Sequence, residues 1–301
     1  MAIKHGGNLF EIAKRYKSNV NQWIDLSTGV SPFTYPISAI PTSVWNQLPQ
    51  ENDGLELAAQ HYYESHAEPA IVAGSQAAIM LLPKVVTQQL GYCGVIALPS
   101  VGYKEHQHAW ENFSQDGKMW QVEYYEVLPT AELVAKCDVV LIINPNNPTG
   151  KLNSKRELQA LLGLFKSSEG LLIIDEAFAD CTPEVSLLEP NKTNENLIIL
   201  RSIGKFFGLA GARVGFIFAN QKIQQAISQL IGPWTVTGPS RYIVKKALQD
   251  VAWQAENRAL LKQQSTRLAL LIEKIIPNKI SFTDLFVTLY LDDPIFCHDF
   301  L

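Results

Sequence analysis

Five short, nearly uninterrupted apolar runs punctuate this chain: CGVIAL (Cys93 to Leu98), CDVVLII (Cys137 to Ile143), LLIID (Leu171 to Asp175), NLIILRS (Asn196 to Ser202) and RVGFIFA (Arg213 to Ala219). A strand with one wet face alternates polar and apolar residues, whereas a strand apolar at nearly every position must be covered on both faces. Between the runs, Ser75 to Gln89, Lys104 to Glu111 and Ser154 to Lys166 carry helical spacing, with Ser75 and Ser154 as candidate N-caps. Strand and helix alternate as in βα units, so the five runs are expected in one mostly parallel central sheet flanked by helices.

The texture changes after Asn220. Gln221 to Leu230, Pro239 to Asp250 and Val251 to Ile276 read as long helices, followed by strand-like Lys279 to Thr283 and Leu285 to Leu291. The expected division is an N-terminal, loop-rich segment over 1–45 that contributes to the small domain and the active site, a large α/β domain over 46–220, and a smaller α+β domain over 221–301.

With 25 Lys plus Arg against 29 Asp plus Glu and no like-charged run, nothing supplies the basic surface that nucleic acid requires. No apolar stretch approaches the ~20 residues of a membrane span, and the start MAIKHGGNLF lacks a signal-peptide core. Cys93, Cys137, Cys181 and Cys297 stand too far apart for a zinc or redox motif, which fits a reducing, cytoplasmic setting. His106 and His108 form an HxH pair, but with no third ligand nearby they read as a solvated helix start. Trp110, Trp120, Trp234 and Trp253 are expected in the core or an interface.

Chemistry concentrates where the apolar runs end. NPNNPTG (Asn144 to Gly150) follows one of them, leaving Asn side chains at a strand's carboxyl end, where parallel α/β sheets bind ligands; alone it would equally be a tight turn. Asp175 ends the run LLIID, and such a carboxylate needs a cationic partner, which a protonated cofactor ring nitrogen would supply; an Asp capping the following loop or helix is the other reading. In RSIGKFFGLAGARVGF, a Lys205 tucked against Phe206, Phe207 and Leu209 would lose solvation and become a nucleophilic amine; an exposed lysine in a glycine loop is the other reading. AGSQAA puts Gly74, Ser75 and Gln76 at a helix start, where free NH groups hold phosphate. Tyr103 could stack on a flat ring or belong to the core. A Walker loop is excluded because no Ser or Thr follows Lys205, and a dinucleotide fingerprint because no GxGxxG follows the first strand.

NPNNPTG, then DEAF at Asp175 to Phe178, then SxGK with an arginine eight residues on, resemble, in this order, the fold type I pyridoxal-phosphate enzymes of the class I/II aminotransferase group. The resemblance implies Lys205 as the Schiff-base lysine, Asp175 as partner of the pyridine nitrogen and Asn147 as donor to the phenolic oxygen. It implies Tyr103 stacked on the ring, and Gly74, Ser75, Gln76, Ser202 and Arg213 around the phosphate. HGGN (His5 to Asn8) and DLSTGVSP (Asp25 to Pro32) are similar to the opening of the threonine-phosphate decarboxylase family of cobalamin biosynthesis. That narrower resemblance implies a lyase acting on O-phospho-L-threonine, with His5, Gly6, Gly29 and Asn147 as substrate contacts, in a homodimer; an incidental turn at the terminus is the plainer reading of HGGN. Phe178, where many aminotransferases carry a tyrosine, points the same way. The resemblance further implies a continuation ending in arginines that clamp the substrate; the 301 residues stop short of it, so a truncated small domain is expected. A histidinol-phosphate-like aminotransferase and a silent cofactor-binding homologue are the alternatives.

Overall fold

The computed structural model of the protein describes residue 3 and residues 5–165, 170–276 and 279–294. Cys297 and the chain end therefore lie outside the described residues. The first helices are α1 (Leu9–Arg15), α2 (Thr42–Asn46) and α3 (Leu55–Tyr62). Next come β1 (Ala70–Val72), α4 (Ser75–Leu90), β2 (Val95–Pro99), α5 (Lys104–Asn112), a two-stranded ribbon β3 (Ser114–Gln115) and β4 (Lys118–Met119), then β5 (Gln121–Tyr125) and α6 (Ala131–Val134). They are followed by β6 (Val139–Ile143), α7 (Lys155–Gly163), β7 (Leu171–Asp175), β8 (Leu197–Ser202) and β9 (Gly215–Phe218). The chain continues as α8 (Gln221–Ile231), α9 (Gly238–Gln249), α10 (Val251–Ile275) and a hairpin of β10 (Ile280–Phe282) and β11 (Val287–Leu289).

All five apolar runs are strands of one seven-stranded sheet in the order β1-β9-β8-β7-β6-β2-β5. The reason is visible in β6, where Val139, Leu141 and Ile143 pack with α4, α5 and α8 while Val140 and Ile142 pack with α3, α7 and α9. Successive side chains point to opposite faces, and here both faces are covered. The sheet is mostly parallel, as expected, and its one reversed strand is β9, antiparallel to both of its neighbours, β1 and β8. Ser154 caps α7 with a full capping box, but Ser75 is the first residue of α4 and Gly74 its N-cap. Helices α8 and α9, grouped by sequence with the C-terminal region, contribute Ile223, Ile227, Val244 and Ala247 to the two cores that sandwich the sheet.

Beneath the carboxyl ends of β7 and β8 lies a buried charge cluster. Arg201, 2% exposed, reaches Glu176 at 2.6 Å and Asp180 at 3.9 Å, with its guanidinium over the Tyr63 ring. Burial pushes both carboxyls above their usual range in spite of Arg201. Because Glu176 follows Asp175 and Arg201 precedes Ser202, the bridge locks together the two strand ends that carry the site. Trp110 and Trp120 pack edge to face in the core, whereas Trp234 is 56% exposed. Cys93, Cys137 and Cys181 are free thiols, and among the described residues no helix is long and apolar enough to cross a membrane.

Candidate active site

At the end of β7, Asp175 is 3% exposed and turned by its own loop, Oδ1 accepting from the Ala177 backbone NH at 3.0 Å. Its Oδ2 lies 2.7 Å from His106 Nε2. The solvated reading of His106 is overturned, since the residue is 2% exposed. The physical reason is helical phase: His106, Ala109 and Trp110 are spaced i, i+3, i+4 on the buried face of α5, while His108 bonds Asn112 on the outer face. That spacing was the signal that could have identified His106.

The asparagines after β6 divide their work. Asn144 is fully buried, its Oδ1 accepting from the Asn153 NH at 2.7 Å and its Nδ2 donating to the Asn153 carbonyl at 3.0 Å. Asn146 donates to Val101 and Thr149 and closes the loop through backbone bonds with Lys151 and Gly150. Asn147 is half-buried, and its side chain makes no hydrogen bond to the described residues. The β10–β11 hairpin is tied to the same loop, Ser281 Oγ donating to the Thr149 carbonyl at 2.5 Å and Thr288 to that of Pro148.

Lys205 stands three residues past β8. Burial holds its ammonium below the ordinary lysine range, with Asp175 opposing that shift and Arg213 adding to it. The ring facing its Nζ is Phe178, at 5.3 Å, whereas Phe206 and Phe207 turn away to pack on Trp253. The backbone at Lys205 is pinned by the N-terminal segment: its carbonyl accepts from the Ser31 NH, and that of Phe207 from the Tyr35 NH, both at 2.9 Å.

The start of α4 is built for close approach. Gly74 has φ +80, and a Cβ there would meet the Arg213 guanidinium at 2.7 Å; one on Gly215 would meet the Ser75 amide nitrogen at 2.5 Å. Only glycines let β9, the α4 start and Arg213 come this close. Gly74 offers no side-chain cap, so the first amides of the 16-residue helix remain available to an anion. Arg213 itself adopts a left-handed backbone, φ 51, of the kind that concentrates at ligand sites. Ser202 is buried at the end of β8. The Gln76 side chain spans to Tyr103, whose hydroxyl donates to its Oε1 at 3.3 Å, and to Glu105, accepting from its Nε2 at 2.7 Å.

The opening segment closes the arrangement. His5 Nε2 lies 2.5 Å from Glu105 Oε1, and its ring centroid 6.1 Å from that of Tyr103. Gly6 sits against Ser27 too tightly for a Cβ, and a Cβ on Gly29 would meet the Phe178 ring at 2.7 Å. Asp175, Lys205, Arg213, Gly74, Tyr103 and His5 are thus linked around one strand edge. Glu105, His106 and Gly215 are parts of it that sequence reasoning missed. A nucleophilic amine beside a buried carboxylate and imidazole, with an anion cradle alongside, suits a phosphorylated aromatic aldehyde with a basic ring nitrogen.

Comparison with known proteins agrees with this geometry. The family model for aminotransferase class I and II matches residues 53–291. A threonine-phosphate decarboxylase of Pseudomonas aeruginosa is 43% identical over 274 residues, spanning 90% of this chain and 78% of that protein. Another, from a Sinorhizobium species, is 34% identical over 290 residues, 95% and 83% of the two chains. In fold, an aminotransferase from Mycobacterium tuberculosis superposes with a TM-score of 0.72 at 20% identity over 97% of this chain and 83% of that one. On the match across 53–291 and the identity to curated relatives along most of their length, the chain belongs to the class I and II aminotransferase family.

Proposed function

We propose that the protein is a pyridoxal-phosphate lyase that decarboxylates O-phospho-L-threonine to (R)-1-aminopropan-2-yl phosphate, a step of cobalamin biosynthesis. The observation that carries the reading is the 43% identity to a threonine-phosphate decarboxylase along 90% of the chain, on a fold whose lysine, carboxylate and anion cradle fit the cofactor. Gly74, Ser75, Gln76, Ser202 and Arg213 would hold its phosphate, Asn147 its phenolic oxygen, Tyr103 a ring face, and Lys205 its aldehyde carbon.

When bound, pyridoxal phosphate supplies an electron sink for the pair left when the bond from Cα to the carboxylate breaks and carbon dioxide departs. Asp175, oriented by His106, holds a proton at the ring nitrogen. Lys205, which would hold the cofactor's aldehyde carbon, would as an ammonium donate a proton to Cα, for which a depressed pKa suits it. Phe178 lines this space with a ring in place of a hydroxyl and keeps water from the lysine. His5, Gly6, Gly29 and Asn147 receive the substrate.

The segment over 1–45 serves the site, 46–220 binds the cofactor, and 221–301 adds the substrate-side hairpin. We further propose a cytoplasmic homodimer, supported by the free thiols and by exposed Ile24, Leu26, Trp45 and Trp234, apolar area of the kind that interfaces cover. Light scattering tests the dimer, and a monomer rejects it.

The test of function incubates the protein with pyridoxal phosphate and O-phospho-L-threonine, with and without 2-oxoglutarate. Aminopropanol phosphate formed without the keto acid, and lost in Lys205→Ala, is the expected result. Glutamate formed only with the keto acid would make the protein an aminotransferase, and retained cofactor with no product a silent homologue.

A further inference from the structure

We infer that Glu105 is a positioning residue whose carboxylate ties the His5 segment to the Gln76–Tyr103 corner of the cofactor cradle. The inference rests on the proposed function for what the tie accomplishes, but the tie itself stands on geometry. The Glu105 side chain is 10% exposed, and a carboxylate so buried ordinarily finds a lysine or arginine. Here both oxygens face the site instead: Oε1 lies 2.5 Å from His5 Nε2, and Oε2 accepts from Gln76 Nε2 at 2.7 Å. These partners lie 100 and 29 residues away in sequence. Gln76 in turn accepts from the Tyr103 hydroxyl, so one continuous run of bonds links the N-terminal segment, α5, the start of α4 and the stacking ring.

The placement gives this run a purpose. Consecutive residues on α5 lie about 100° apart, so its first turn works as a bracket. His106 reaches inward to Asp175 while Glu105 reaches across to the segment and the cradle. Within the segment the Gly7 amide bonds Ser27 Oγ, and farther along the Ser31 and Tyr35 amides tie it to the Lys205 and Phe207 carbonyls. The His5–Glu105 bond is the tie that brings its first described residues over Tyr103. A bond from Nε2–H to a carboxylate also fixes the imidazole tautomer, leaving Nδ1 as the remaining hydrogen-bonding atom of His5 for substrate. Without His5, Glu105 would keep the Gln76 amide but no group to balance its charge, beside a cradle that receives anions. The carboxylate and the imidazole therefore act as a coupled pair, so losing both is expected to cost less than the two single losses combined.

The experiment compares the cofactor-loaded wild type with Glu105→Ala, His5→Ala, the double variant and Glu105→Gln. One readout is tryptic cleavage after Lys14, Arg15 and Lys17, which reports the hold on the segment without reference to activity. The other is kcat and KM for O-phospho-L-threonine. Each alanine variant is expected to speed cleavage about fivefold and raise KM about tenfold with kcat within about threefold, and the double variant to fall well short of the product of the singles, as coupled partners do. Glu105→Gln keeps the volume and one acceptor oxygen and is expected to fall between. Multiplicative effects in the double variant, a wild-type cleavage rate in Glu105→Ala, or a Glu105→Gln identical to wild type in both readouts, as a merely space-filling residue would give, overturns the proposal. If the wild type fails to decarboxylate, the proposed function falls and the cleavage measurements alone decide the tie.

Discussion

Replacing Arg201 by methionine keeps roughly the shape of the side chain and removes its charge from between two buried carboxylates. Glu176, 0% exposed, then loses a partner at 2.6 Å and Asp180, 2% exposed, one at 3.9 Å. Glu176 retains the Ser186 hydroxyl at 2.8 Å, which does not balance a charge. Breaking a buried ion pair from one side costs about 3–5 kcal/mol, most of it the uncompensated charge left behind. The sign with pH follows. Burial already raises both carboxyls in the folded protein, and loss of Arg201 raises them further, so between the unfolded value near pH ~4 and the folded values the folded state binds more protons. Its stability must then rise as pH falls through that window, by up to about 1.4 kcal/mol per unit for each proton taken up. Urea unfolding followed by tryptophan fluorescence at pH 8 and pH 5.5 checks this: Arg201→Met is expected to show the full deficit at pH 8 and a clearly smaller one at pH 5.5. A deficit under about 1 kcal/mol, in the range of a solvent-exposed pair, or one equal at both pH values, would refute the reasoning.

Three further outcomes are expected. Covalent trapping of pyridoxal phosphate on Lys205 by borohydride should reach half its maximum at a pH below the ordinary lysine value near ~10.4, and Phe178→Ser should move that midpoint upward as water enters; an ordinary midpoint in the wild type counts against a desolvated lysine. Gly215→Ala drives a Cβ into the Ser75 amide and should cost about 1–3 kcal/mol and at least about tenfold in pyridoxal phosphate affinity by absorbance titration, while Gly211→Ala, whose Cβ meets nothing, changes neither. Asn144→Ala removes both bonds to Asn153 from a fully buried position and should lower stability by about 2–3 kcal/mol, read from the urea midpoint at constant slope.

The sheet was legible because burial on both faces is a local property of the text: β6 and β7 consist almost entirely of Val, Ile and Leu, and no half-exposed strand reads that way. Residues whose roles depend on packing across the chain were less legible. His106 carries no mark of Asp175 in its neighbourhood, since the two are 69 residues apart and meet only when α5 lies over the end of β7. Glu105 looks like any helix-start acid until the His5 segment folds back on it. Gly215 reads as a weak point in a strand, and only the crossing of β9 under the start of α4 explains it.

The direction of β9 could have been reasoned out. Lys205 follows β8 and so stands at the carboxyl edge, and Arg213 immediately precedes β9. Had β9 run parallel to β8, its start would lie at the opposite edge, a strand length of about 17 Å away. Arg213 could not then have shared a phosphate cradle with Gly74, which follows β1. Assigning Lys205 and Arg213 to one site is compatible only with an antiparallel return, and that is the register found, with Ser202 opposite Gly215. The short link from 203 to 214 thus stays at one edge, carrying the lysine outward and the arginine back. Because β1 is antiparallel to β9 in turn, it runs parallel to β8, and its carboxyl end delivers Gly74 to that same edge. The reversed strand is therefore the element that brings the arginine to the lysine and the helix start, which a uniformly parallel sheet of the same seven segments would have left at the opposite edge.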